Sequence, residues 1–116
     1  MNNRWLDVCD INDISPNTGV CVQVESAQVA IFYLHPENEL RAVNNFDPIA
    51  GANILARGIV GEIKGKRVVA SPLYKQHFCL QSGVCLQDEM IKVATYQTRI
   101  KGDKVQLFTT ITGDYS

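Results

Sequence analysis

Two histidines and four cysteines are the side chains with which this chain could bind a soft metal or activate a nucleophile. His77 and Cys79, two apart in a strand-like run, fall on one face, but two ligands cannot close a four-coordinate site. They are expected to be structural or solvated. His35 precedes Pro36 in a turn and is expected at the surface. Cys9, Cys21, Cys79 and Cys85 are separated by eleven, fifty-seven and five residues, with no Cys-x-x-Cys pair. Those spacings match no zinc template, so four free, mostly packed thiols are expected. No Gly-x-Ser-x-Gly elbow is present, and no cysteine carries a local signature pairing it with a histidine. "GEIKGKR" (61–67) has three residues between its glycines, not four. It also has Arg67 where a phosphate loop needs Ser or Thr, so it is expected to be a β-turn. Asp47, Asp88, Glu89 and Asp103 stand in or near turns, where water and local backbone hydrogen bonds account for carboxylates.

The elements that must carry these residues are short strands. "VCVQVE" (20–25) alternates, and "QVAIFYL" (28–34) follows after Ser26-Ala27, which predicts a hairpin. "HPENE" (35–39) is a turn, and "LRAVNN" (40–45) returns as a third strand. Further hairpins are predicted around Lys64-Gly65, around Ser82-Gly83, and around Lys101-Gly102-Asp103. Close strand spacing with glycine turns predicts an all-β antiparallel sandwich or small barrel. Trp5 is expected to pin the first strand onto the core. Two segments break the pattern. Residues 45–58 are too long for a hairpin loop and suggest a helical turn near Ala52–Ala56. Residues 70–76 interrupt a would-be hairpin. Function tends to sit on such loops.

At 116 residues the chain fits one domain, expected over residues 1–108, with 109–116 as a flexible C-terminal tail. Eleven basic residues against twelve acidic ones leave no electrostatic footprint for nucleic acid or an anionic membrane. No apolar run approaches the ~20 residues of a membrane helix, and the N-terminal stretch lacks the apolar region of a signal peptide. A cytoplasmic location is expected, where thiols stay reduced.

A family comes into view in the order of features: strand, long loop, hairpin, strand, short loop, then an aromatic and Ser-Gly. This resembles the Rieske iron–sulfur domain, whose two loops carry Cys-x-His and Cys-x-x-His around a [2Fe–2S] cluster. Aligned through Val68-Val69, Phe78 and Gly83, the second pair falls on Ser71 and Tyr74. The first pair falls on Phe46 and Pro48. None of these four is a cluster ligand. Phe46 and Tyr74, with Pro48 stiffening its loop, are expected to fill the space between the loop tips by ordinary packing.

Within that superfamily the chain resembles the small subunits of assimilatory NAD(P)H-dependent nitrite reductases. "WLDVCDINDISPNTGV" (5–20) and the long, specific run Val69–Glu89 carry the likeness, which spans Trp5 to Phe108. The resemblance implies an accessory subunit in the reduction of nitrite to ammonia, a member of an enzyme with no catalytic residues of its own. It implies a large-subunit partner holding FAD, siroheme and a [4Fe–4S] cluster. The missing ligands imply that this chain holds no cofactor. Tyr74, Lys75, Gln76 and His77 are the expected partner contacts. Self-association of the chain stays open. The alternatives are a Rieske-type, ferredoxin-like electron carrier, which needs ligands the alignment does not supply, and a stand-alone protein-binding module.

Overall fold

The structure is a computed structural model and describes residues 2–111. Strands β1 (Asn2–Asp10), β2 (Gly19–Val24), β3 (Ala27–Leu34) and β4 (Glu39–Asn44) come first. A long connection follows, with the two-residue strands β5 (Phe46–Asp47) and β6 (Ala52–Asn53) and a 3-10 turn at Leu55–Arg57. Next come β7 (Ile59–Ile63), β8 (Lys66–Ala70), β9 (His77–Cys79), β10 (Val84–Cys85) and β11 (Asp88–Lys92). The chain then continues through β12 (Thr95–Tyr96), β13 (Thr98–Lys101) and β14 (Lys104–Ile111). Among the described residues no helix is long and apolar enough to cross a membrane.

The turns show why the hairpins form where they do. Lys64 and Gly65 both have positive φ, +52° and +80°, the backbone that a two-residue turn between right-twisted strands requires. The β2–β3 turn falls on Glu25-Ser26, one residue before the expected Ser26-Ala27, with Glu25 at φ +56°. The helical turn expected near Ala52–Ala56 is the 3-10 turn at Leu55–Arg57.

The strands form an open, all-antiparallel sandwich of three main sheets, not a closed barrel. A four-stranded sheet, ordered β12-β4-β3-β2, lies between a five-stranded sheet (β11-β10-β9-β8-β7) and a three-stranded sheet (β1-β14-β13). Successive β3 residues serve both sides. Ala30, Phe32 and Leu34 pack with Val69, Phe78 and Leu80 of the five-stranded side. Val29 and Ile31 pack with Val105 and Leu107 of the three-stranded side. Being covered on both faces explains why "VAIFYL" is apolar without alternation.

Two expectations are corrected at the edge of this architecture. β14 runs through Thr109, Thr110 and Ile111, paired with Arg4, Asn3 and Asn2, so the expected tail cannot begin at 109. These residues have strand-forming side chains and a partner strand to bond; residues 112–116 of the expected tail lie outside the described residues. Trp5 is half-buried, not a core anchor. Its ring meets Phe108 edge-on at 5.2 Å and lies 4.2 Å beneath the Arg99 guanidinium, pinning β1 to β14 and β13.

Candidate functional site

The two irregular segments, 45–58 and 70–76, come together at one end of the sandwich, each closed by its own bonds. Asn45 closes the first. Its buried carbonyl accepts from the amides of Ile54 (3.0 Å) and Leu55 (3.1 Å), and its Oδ1 accepts from Ala56 (2.7 Å). Asp47 folds the loop tip. Its Oδ1 accepts from the amides of Ile49 (2.8 Å) and Ala50 (3.2 Å), and its carbonyl accepts from Gly51 (2.8 Å). Leu55, fully buried in the core, plugs the loop onto the sandwich. In the second loop the Ser71 amide donates to the Gln76 carbonyl (2.8 Å), and the Ser71 carbonyl accepts from Lys75 (3.0 Å). Lys75 takes φ +62° to close that turn.

One bond ties the loops together. The Ser71 hydroxyl donates to Asp47 Oδ2 at 2.5 Å, with Asp47 0% and Ser71 1% exposed. The carboxylate expected in solvent at a turn is therefore enclosed, with its oxygens bonded to two amides and a hydroxyl. This overturns the expected aromatic filling. Phe46 is 43% and Tyr74 60% exposed, and Pro48 is exposed as well. All three stand outside the junction that Asp47 and Ser71 occupy. Because side chains alternate along a strand, Asp47 points in where Phe46 points out. The side chain that the first loop turns inward is thus Asp47, with Ile49 packed against the core beside it.

The expected partner contacts divide in two. Tyr74 and Lys75 are exposed. Gln76 and His77 are half-buried, and Gln76 Oε1 is enclosed with no hydrogen-bond donor. The His77 amide donates to Gln87 Oε1 (2.8 Å), and the Gln87 amide nitrogen lies 3.0 Å from His77 Nδ1. Gln87 thus holds His77 against the neighbouring strand pair.

These residues do not fit a [2Fe–2S] cluster. Its irons need thiolate and imidazole donors. At the junction stand a carboxylate and a hydroxyl bonded to each other, with a hydrocarbon at Ile49 and an outward phenol at Tyr74. Among the described residues no three His, Cys, Asp or Glu side chains converge on one point. Cys79 lies beyond the loop, in a groove of about 570 Å³ that it shares with Arg41, Lys66 and Ser82. Burial pushes its thiol pKa up, but the Ser82 hydroxyl and amide, the Gln81 amide and the Lys66 charge outweigh burial, and the net shift is downward.

Sandwich and loops together define a Rieske-type domain whose cluster junction is built from oxygen and hydrocarbon. The sequence matches the Rieske-like [2Fe-2S] domain family over residues 4–108. It is 43% identical over 105 residues to the nitrite reductase (NADH) small subunit of Escherichia coli K12, covering 90% of this chain and 97% of that one. A crystal structure of a putative NADH-dependent nitrite reductase small subunit from Mycobacterium tuberculosis superposes with a TM-score of 0.88 at 34% identity, covering 97% of this chain and 100% of that one. The chain belongs to the Rieske-like domain family, in its branch of nitrite reductase small subunits. A third relative has a different organisation. The nitrite reductase [NAD(P)H] large subunit of Klebsiella oxytoca is 30% identical over 101 residues, which are 87% of this chain and only 10% of that one.

Proposed function

We propose that this chain is the accessory small subunit of an NAD(P)H-dependent nitrite reductase, bound to a large subunit that carries the redox groups and reduces nitrite. The observation that carries this reading is the near end-to-end match to small subunits of that enzyme. The relative within a large-subunit chain supports the choice of partner, because a module fused to a polypeptide in one protein commonly works against it when separate. The chain's own part is to bind and to orient. Its loops present Tyr74 and Lys75 from a rigid scaffold, and the flavin, siroheme and [4Fe–4S] chemistry belongs to the partner. Free cysteines at all four positions accord with work in the reducing cytoplasm.

The test is reconstitution. The large subunit, purified with its cofactors, is assayed for nitrite-dependent oxidation of reduced nicotinamide with and without this chain. Activity or stability that rises to saturation at a fixed ratio of the two chains is expected. A large subunit indifferent to the added chain overturns the reading. Iron analysis of the small chain, expressed alongside cluster-assembly machinery, is expected to find none in stoichiometric amount; one cluster per chain would make it an electron carrier.

A further inference from the structure

We infer that Phe46, Leu73 and Tyr74 form one apolar docking face, preset by the buried Asp47–Ser71 bond, on which the large subunit of nitrite reductase seats. The inference rests on the accessory-subunit reading and goes further in naming the surface and what shapes it.

Six large apolar side chains are exposed among the described residues, and three of them, Phe46, Leu73 and Tyr74, stand on the two joined loops. A fourth, Ile59, pairs with Ala70, the neighbour of Ser71. Three of the six thus stand on two loops that a single bond joins, and exposed apolar side chains that share one region mark an interaction site. The face is composite, since Phe46 comes from one loop and Leu73 and Tyr74 from the other. Its shape therefore depends on what joins the loops, and Asp47–Ser71 does so without reaching the surface. Loops held in place before contact lose little freedom on binding, which favours affinity.

The occupant follows from the chain organisation of the relatives. In the Klebsiella oxytoca large subunit the matching segment is a tenth of a single polypeptide, so tethering keeps it beside the rest of that chain. In the Escherichia coli small subunit the match fills 97% of the chain, so there the segment is separate, and on the accessory-subunit reading a non-covalent surface replaces the tether. The second loop offers little charge for this, Lys75 being the one ionic side chain in residues 71–76. Apolar anchors are what remains to hold the partner.

The experiment measures the affinity of the full chain for the cofactor-loaded large subunit. The triple variant Phe46→Ser, Leu73→Ser, Tyr74→Ser is expected to bind at least about tenfold more weakly, as loss of central anchors does. Ile100→Ser, an exposed site on the far sheet, is expected to bind as wild type. Asp47→Ala is expected to weaken binding although Asp47 touches no partner. Asp47→Asn, which can still accept from the loop amides and donate to Ser71, is expected to restore it. A triple variant that binds like wild type overturns the docking face and leaves the accessory-subunit reading standing. Wild-type chain that fails to bind overturns both. A free chain that is dimeric, with the dimer lost in the triple variant, assigns the face to a second copy and also overturns the inference. So does a folded Asp47→Ala that binds undiminished.

Discussion

Asp47 and Ser71 show how one buried bond can join two loops. A carboxylate removed from water needs its oxygens satisfied, and here two amides and one hydroxyl do so. Ser71→Ala leaves Oδ2 enclosed without a donor, so a loss of about 2 kcal/mol is expected in urea unfolding. Ser71→Cys keeps a weak donor and is expected to lose less; equal losses would mean that the hydroxyl contributes only its volume. Half of this was legible in the chain. Asp47 before Pro48, with amides two and three residues on, is an Asx turn by its own sequence. Its burial is not local information, because the partner lies twenty-four residues away on another loop. Cys79 gives the fold a pH dependence of its own. Its folded pKa lies below the unfolded one, so between the two values the native state has lost a proton that the unfolded state keeps. Stability from this group therefore grows as pH rises through that window, and is lost as pH falls through the folded pKa. Wild type minus Cys79→Ala, compared by urea unfolding across the thiol range, is expected to show that slope. A flat difference would leave the Ser82 and Gln81 donors without effect on the thiolate.

At the scale of elements, the legible parts are those whose signal is short-range. The Lys64-Gly65 and Gly102-Asp103 turns stand close to where glycine and strand alternation put them. The illegible parts are pairings. "TYQTRI" alternates without a break, yet β12 pairs with β4 and β13 with β14, the chain changing sheets at Gln97. Nothing in a period-two pattern records which strand will lie alongside. The pairing of β1 with β14 is hidden for the same reason, since a hundred residues separate the partners. Gly58 shows a contact that seats a whole loop. A Cβ there would run into the Ala70 carbonyl and lie 2.6 Å from Val69 Cγ2. Both are in β8, just before Ser71, and the Ala70 carbonyl is backbone that cannot turn aside. Gly58→Ala is expected to push the 45–58 segment off β8, lowering stability by about 2 kcal/mol and loosening the loop junction with it. Amide exchange read at Ile49, Ala50 and Lys75 checks this. Unchanged protection there, alongside lowered global stability, would separate the glycine from the junction.

For the whole molecule, the consequence of three layers is that two cores share one sheet. Ile31 and Phe32 are neighbours in β3, both fully buried, and they face opposite clusters. Either core can therefore fail only by disturbing the strand that lines the other, and the molecule should unfold as one unit although its outer sheets scarcely meet. Trp5 offers a local probe, because it lies on β1 of the three-stranded sheet with Phe108 and Arg99 and is the chain's only tryptophan. Leu80 belongs to the opposite core, on the five-stranded side. Leu80→Ala is expected to cost about 3 kcal/mol by opening a cavity there. With a shared central sheet, Trp5 fluorescence and far-ultraviolet circular dichroism should move to lower urea together and by the same amount, the mark of a two-state transition. A Trp5 transition that stayed at its wild-type midpoint would mean that the three-stranded sheet melts on its own. The loop end, which is built wholly against the other core, would then answer to half of the molecule.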